Sequence, residues 1–282
     1  MKTNDKQPGD EKKQDLIKTL PELPGGKSVL NGMLTPEDAR AFAATSTSNY
    51  RLFNDRKEPG HRLPSMLLQS TARGEQDKAA PILASCPDLL SHRGDVTDYS
   101  GRTFKNITAF QYALWAMDTH MCRMILEAIP SGPTGDALRA DLIRQYEELE
   151  ADGVTYELEG QTYTNQHHFD FSPLITALQD YVDHVDGWYD TQNWAEMGRQ
   201  WCTVVGLAQR YIPAHVAQEY CHPTRSFHPT PQFNERALER SLTFHNYRNG
   251  TDMLWWPKVG SSSSVLGVNF GILRGGAGMD GR

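Results

Sequence analysis

The sequence predicts a mostly α-helical protein assembled from short helical hairpins, with one small β-hairpin among them. Two helices declare themselves by apolar spacing. Asp136–Glu150 sets Leu138, Leu142, Tyr146 and Leu149 on one stripe, and Trp194–Tyr211 sets Trp194, Met197, Trp201, Val204, Val205 and Ala208 on one face. The third observation is an alternating pair of runs, Val154-Thr-Tyr-Glu-Leu and Gln161-Thr-Tyr-Thr, around Glu159-Gly160, which reads as a β-hairpin.

The remaining elements follow in chain order. Residues 1–18 are polar, with little to bury, and are expected to form a disordered arm. Residues 19–54 hold a compact helical segment. There Val29, Leu30, Met33 and Leu34 fall at helical spacing, and Thr35-Pro-Glu-Asp starts a second helix with a hydroxyl cap, a first-position proline and first-turn acids. After a turn-rich joint, residues 63–220 carry the helix pairs. Leu67–Gly74 and Ala79–Leu83 make the first, Thr108–Ala128 supplies the second, and Pro173–Val185 precedes the Trp194–Tyr211 helix. Residues 221–282 form an extension, first Pro- and His-rich, then Gly- and Ser-rich, that is expected to pack on the stack. It has a short helix near Glu235–Leu242 and an apolar patch at Val265–Leu273 suited to a terminal strand.

Composition narrows the function classes. Hydrophobic residues at 38% of the chain suffice for a core over most of its length. A net charge of −7 without a basic block argues against sequence-independent nucleic-acid binding, which needs clustered Lys and Arg to displace counterions. No apolar run approaches the roughly 20 residues that cross a bilayer, and Met1–Lys13 lacks the apolar centre of an export signal. Cys86, Cys122, Cys202 and Cys221 show neither CxxC pairing nor regular spacing, so free thiols in a reducing compartment are expected.

One motif recurs. Asp98-Tyr-Ser-Gly-Arg-Thr, then Thr108-Ala-Phe-Gln-Tyr-Ala, then Met121, Met124, Ile125 and Leu126 resembles the ankyrin repeat, D-x-x-G-x-T-P-L-H-x-A followed by a second helix. Ser172-Pro-Leu-Ile-Thr-Ala resembles its core again, and Ser70-Thr-Ala-Arg-Gly with Ile82-Leu83 resembles a repeat's helix pair. The resemblance makes Asp98, Gly101, Thr108, Phe110, Ala113, Ser172, Pro173, Leu174 and Ala177 structural motif residues of an irregular ankyrin-like stack. It implies burial of Phe110, Ala113, Met121, Ile125 and Leu126. The sequence departs from the family where Phe104–Ile107 reads as an inserted loop, and where Thr108 and Ser172 stand about two repeat lengths apart.

The N-terminal segment resembles a diverged F-box through Leu23-Pro24, Val29-Leu30, Leu34, Pro36-Glu-Asp, Phe42-Ala and Tyr50-Arg-Leu, interrupted by Gly25-Gly26. That resemblance makes Leu23, Pro24, Val29, Leu30 and Leu34 candidate contacts to the Skp adaptor of cullin–RING ubiquitin ligases. The alternative is a helical hairpin that caps the stack. Taken with Asp98–Leu126 and His215-Val-Ala-Gln-Glu-Tyr-Cys-His-Pro, the chain resembles legionella-type F-box and ankyrin effectors, bacterial proteins injected into eukaryotic hosts. The resemblance implies secretion by a specialised bacterial system into the host cytoplasm, without a cleavable signal. The alternative location is the bacterial cytoplasm.

Catalytic and metal-binding patterns are weak. His167-His168-Phe-Asp170 stands just before a helix start, where Asp170 or Ser172 would satisfy free N–H groups. His215, Cys221, His222 and His228 match no zinc spacing, and the neighbours Cys221 and His222 point their side chains apart. Gly275-Gly-Ala-Gly precedes no helix, so a phosphate cradle is not expected. Trp188, Trp194, Trp201, Trp255 and Trp256 are either core or, if exposed, binding anchors. The expectation is a non-enzymatic adaptor, free of metal and cofactor, that brings a bound host protein to a Skp–cullin ligase. The alternatives are a scaffold with no ligase contact, and a modifier of host proteins built on Cys221, His222 and His215.

Overall fold

The computed structural model describes residues 62–220, with 229, 232–237, 243–246, 251–254, 266–269 and 271–272 beyond them. The chain enters through two antiparallel helices, α1 (Arg62–Ala72) and α2 (Gln76–Ser85), and a 3-10 turn at Pro87–Ser91. Strands β1 (Gly94–Thr97) and β2 (Thr103–Ile107) follow, then helices α3 (Ala109–Trp115), α4 (Thr119–Glu127) and α5 (Pro133–Asp152). Strands β3 (Val154–Leu158) and β4 (Gln161–Gln166) complete a four-stranded antiparallel sheet in chain order.

That sheet overturns the ankyrin-like stack. In a stack each helical hairpin touches only its sequence neighbours. Here Thr103 pairs with Glu157 and Phe104 with Tyr156, across three intervening helices. Phe104–Ile107, expected as an inserted loop, is an inner strand. The Asp98–Arg102 turn and the 154–163 hairpin are both present, but they form the first and last strand pairs of one sheet, which the β2–β3 pairing joins.

The turn forms because Asp98 accepts hydrogen bonds at one carboxylate oxygen from the Ser100 amide (2.9 Å), the Ser100 hydroxyl (2.6 Å) and the Arg102 amide (3.0 Å). Gly101 supplies the left-handed residue it needs, at φ +92°. Register then places Val96, Phe104, Tyr156 and Tyr163 across the sheet on the face that meets the helices. Phe104 lies at the centre, with ring centroids 4.8 Å from Trp115, 5.1 Å from Tyr112 and 5.2 Å from Tyr156. Trp115, which the apolar spacing did not single out, is among the most buried side chains.

The helices of this module are held by polar residues as well. Thr108 and Gln111 form a reciprocal capping box at the start of α3, and Asp118 caps α4. Helix α5 buries Leu138, Leu142 and Leu149 as expected from their spacing, but it buries Gln145 in place of Tyr146, which is 47% exposed. Phe110, Ala113, Met121 and Ile125 are buried, whereas Leu126 is 51% exposed at the end of α4.

A second group of helices begins at α6 (Ser172–Asp190), which turns at Thr191–Asn193 into α7 (Trp194–Gln200). A π-helical turn at Trp201–Val205 carries α7 into α8 (Gly206–Arg210), and α9 (Ala214–Tyr220) follows. Residues 266–269 and 271–272 lie on this group. Leu266 is fully buried, and Gln209 exchanges two hydrogen bonds with the Ile272 backbone at 2.9 and 2.7 Å. Strands β5 (Thr243–Asn246) and β6 (Thr251–Leu254) form a separate antiparallel pair, which the sequence reading did not anticipate. No helix among the described residues is long and apolar enough to cross a membrane.

Candidate functional site: the outer face of the α6–α7 hairpin

Helix α6 buries little for its length. Ala177 is its only buried residue, and α7 has none. At about 100° per residue, Leu174, Ala177, Tyr181 and Trp188 fall on one side of α6. These are buried or half-buried. Tyr181 meets Trp201 edge-to-face at 4.9 Å, which joins α6 to the π-helical turn.

The next face round the helix carries a second apolar row. Ile175, Val182 and Tyr189 are 62%, 61% and 64% exposed, and the half-buried Leu178 and Val185 lie between them. The positions 175, 178, 182, 185 and 189 alternate three- and four-residue steps, the spacing of a coiled-coil seam. Trp194 extends the row, 48% exposed and edge-to-face with Tyr189 at 5.2 Å. One turn-start residue sets this geometry: the Asn193 side chain accepts the Glu196 amide at 3.3 Å and so begins α7 beside the end of α6.

The open edge of the seam is acidic. Asp183, Asp186 and Asp190 follow Gln179 along it, and α6 contains no Lys or Arg. Gln179 donates to Asp183 at 2.7 Å. Asp180 lies on the far side, beside His184 at 3.4 Å.

A buried polar joint at Arg102 ties the sheet module to the end of α8, in the same helical group as the hairpin. Arg102 donates to the Ser100 hydroxyl (2.5 Å) and the Tyr211 carbonyl (2.6 Å), with Asp98 at 3.9 Å. Its guanidinium lies 5.1–5.8 Å from the ring centroids of Phe169, Tyr156, Trp115 and Tyr211. Burial pushes the Asp98 carboxyl above its ordinary range despite these partners, and pushes the Tyr112 hydroxyl, 3.3 Å from Asp98, well up too. The Tyr211 hydroxyl donates to Glu159 at 2.7 Å, and Gln218 donates to the Arg73 carbonyl at 2.6 Å.

The residues expected to carry function are distributed differently. Leu23, Pro24, Val29, Leu30 and Leu34 lie outside the described residues, as do Cys221, His222, His228, Trp255 and Trp256. His215 is described, 3.8 Å from Asp118, which stands one turn from Cys122. Burial, with Asp118 adding to it, pushes the Cys122 thiol up to about 12, so it is almost wholly protonated at neutral pH and a poor nucleophile. Among the described residues no group of three or more His, Cys, Asp and Glu side chains converges as a metal site.

Of the motif residues, Asp98 and Gly101 form the β1–β2 turn and Thr108 is a helix cap. Ser172 and Pro173 stand exposed at the start of α6, where Asp170 accepts the Ser172 amide at 2.8 Å. Trp188 and Trp201 are half-buried between α6 and the π turn, and Trp194 is exposed. The signal for the seam is the seven-residue spacing of Ile175, Val182 and Tyr189, which a repeat core at Ser172-Pro-Leu-Ile-Thr-Ala and a helix end at Val185 both obscure.

Comparison with known proteins bears on the whole chain. It is 39% identical over 277 residues to the uncharacterized protein CBUA0006 of Coxiella burnetii (strain RSA 493 / Nine Mile phase I), a match covering 93% of this chain and 73% of that protein. The chain belongs to the CBUA0006 family. The family model for the CBUA0006 C-terminal domain matches residues 173–281, so it begins with α6 and takes in the seam. The sheet module precedes that domain. No solved structure matches the chain.

Proposed function

We propose that the chain is a non-enzymatic protein-binding adaptor whose docking face is the outer side of α6 together with Trp194. The exposed seam carries this reading: three large apolar residues at seven-residue intervals, each more than half in solvent, with a tryptophan at their end. Tyr and Trp are among the side chains that carry most of the energy in protein interfaces. The test is a photo-crosslinking residue placed at Val182 in the full chain and exposed to eukaryotic lysate. The expected result is discrete protein adducts that the same probe at Ile143, exposed on α5, does not give. Equal, diffuse labelling at both positions removes the reading.

The F-box resemblance gives this adaptor its specific form, recruitment of the bound protein to a host Skp–cullin ligase through Leu23, Pro24, Val29, Leu30 and Leu34 in the host cytoplasm. Wild-type chain is expected to co-purify with Skp, and Leu23→Ala with Pro24→Ala to lose it. If the wild type captures no Skp at micromolar concentration, the adaptor reduces to a scaffold that uses the α6 face alone.

A further inference from the structure

We infer that the α6 seam takes a basic amphipathic helix presented by another protein, and this rests on the docking reading above. The occupant's shape follows from the seam. Positions 175, 178, 182, 185 and 189 repeat with the period that keeps two helices in contact, and Ile175 to Tyr189 spans about 21 Å at 1.5 Å per residue. A row of that length and period matches one face of a helix of about four turns.

The occupant's charge follows from the edge. One flank of the seam is closed by the protein itself, through Leu174, Tyr181 and Trp188. The open flank presents Asp183, Asp186 and Asp190, with no cation on the helix to neutralise them. Asp186, at the position that flanks the seam, calls for Lys or Arg on the partner helix, as flanking charges do in coiled coils, and Asp183 and Asp190 one position further round add to the negative field on that side. The same row disfavours the other occupants of an apolar face. A second copy would bring aspartate rows into one interface, and an anionic lipid surface would be repelled, whereas membrane-surface helices carry Lys and Arg on their polar side.

The test uses the full chain and two synthetic helical peptides of 25 residues. Both carry Leu at the seam positions; one has Lys at every flanking position and its twin has Glu. Fluorescence anisotropy is expected to show the Lys peptide binding at least tenfold more tightly than the twin. Val182→Asp should lose at least tenfold for the Lys peptide. The combination Asp183→Lys, Asp186→Lys and Asp190→Lys should reverse the preference, which pure apolar stickiness would not do. Equal affinity for the two peptides, no binding of the Lys peptide, or a preference that survives the triple change overturns the inference. So does concentration-dependent dimerisation or binding to phosphatidylglycerol vesicles that Val182→Asp abolishes, since those assign the face to a second copy or a membrane. Protein adducts at Val182 with no charge preference among peptides would leave the docking reading standing and remove this inference. Absence of both removes both.

Discussion

Gln145 shows how one buried amide can tie several elements. Its side chain accepts the Thr108 hydroxyl at 2.7 Å and donates to the Leu90 carbonyl at 3.0 Å and to Asp141 at 2.8 Å, while the Gln145 backbone carbonyl accepts Gln111 at 3.3 Å. Helix α5 turns this amide inward, where it pairs the Leu90 carbonyl and the Thr108 hydroxyl proton, and Tyr146 is left at the surface. Gln145→Leu strands the Leu90 carbonyl and the Thr108 hydroxyl proton, so it should lower stability by about 1–3 kcal/mol in chemical denaturation despite its greater hydrophobicity. A neutral or stabilising result would show that the network contributes nothing. Nearby, burial alone raises Asp141 and Glu148. Hydrogen bonds from Ser91, Gln145 and Arg144 to Asp141, and from Arg93 and Arg144 to Glu148, outweigh it and hold both below the ordinary carboxylate range. Acids depressed on folding contribute stability that is present above their unfolded pKa and lost as pH falls through the folded one. The melting temperature should therefore fall below about pH 4, and Arg144→Gln should flatten that fall. Asp98, raised by burial, works in the opposite sense and loses its contribution as pH rises. The Cys122 thiol, pushed up to about 12, should resist iodoacetamide at pH 8 in the folded protein and react fully on unfolding.

At the scale of the element, β2 decides the architecture. Thr103-Phe-Lys-Asn-Ile alternates weakly and follows a turn motif shared with helical repeats, so its own residues do not reveal that it lies between two other strands. What was legible was local: the Asp98 turn, the Thr108 cap, the 154–163 hairpin, the helix pairs and the apolar stripe of α5. The pairing of Phe104 with Tyr156 was not, because it joins segments separated by three helices and depends on the whole sheet. The seam of α6 was legible in its seven-residue spacing, whereas its exposure depends on what the remainder of the chain leaves uncovered. Phe104→Ala removes the centre of the aromatic cluster and should cost about 3–5 kcal/mol. Gly267 marks another element-scale contact. Its φ is +81°, and an added Cβ would stand 2.7 Å from the Leu207 Cα. Gly267→Ala should separate 266–269 from α8, seen as loss of amide protection around Gln209 with little change in the sheet module.

At the scale of the molecule, a sheet-and-helix module serves as the base from which the α6–α7 hairpin presents its outer face. The Arg102 guanidinium donates to the Tyr211 carbonyl just after α8, and so ties the helical group that holds the hairpin to the base, while the hairpin contributes few of its own side chains to the core. The family's C-terminal domain begins at this hairpin, which places the candidate docking face within the part that this family model matches. The central claim is that the seam is free in the isolated protein and is not part of its core. The most direct measurement is the stability of Val182→Asp. A side chain 61% in solvent should tolerate the charge, leaving the unfolding free energy within about 0.5 kcal/mol of wild type. A loss of several kcal/mol, the cost of burying an unpaired carboxylate, would show that the chain covers this face itself and would contradict the account.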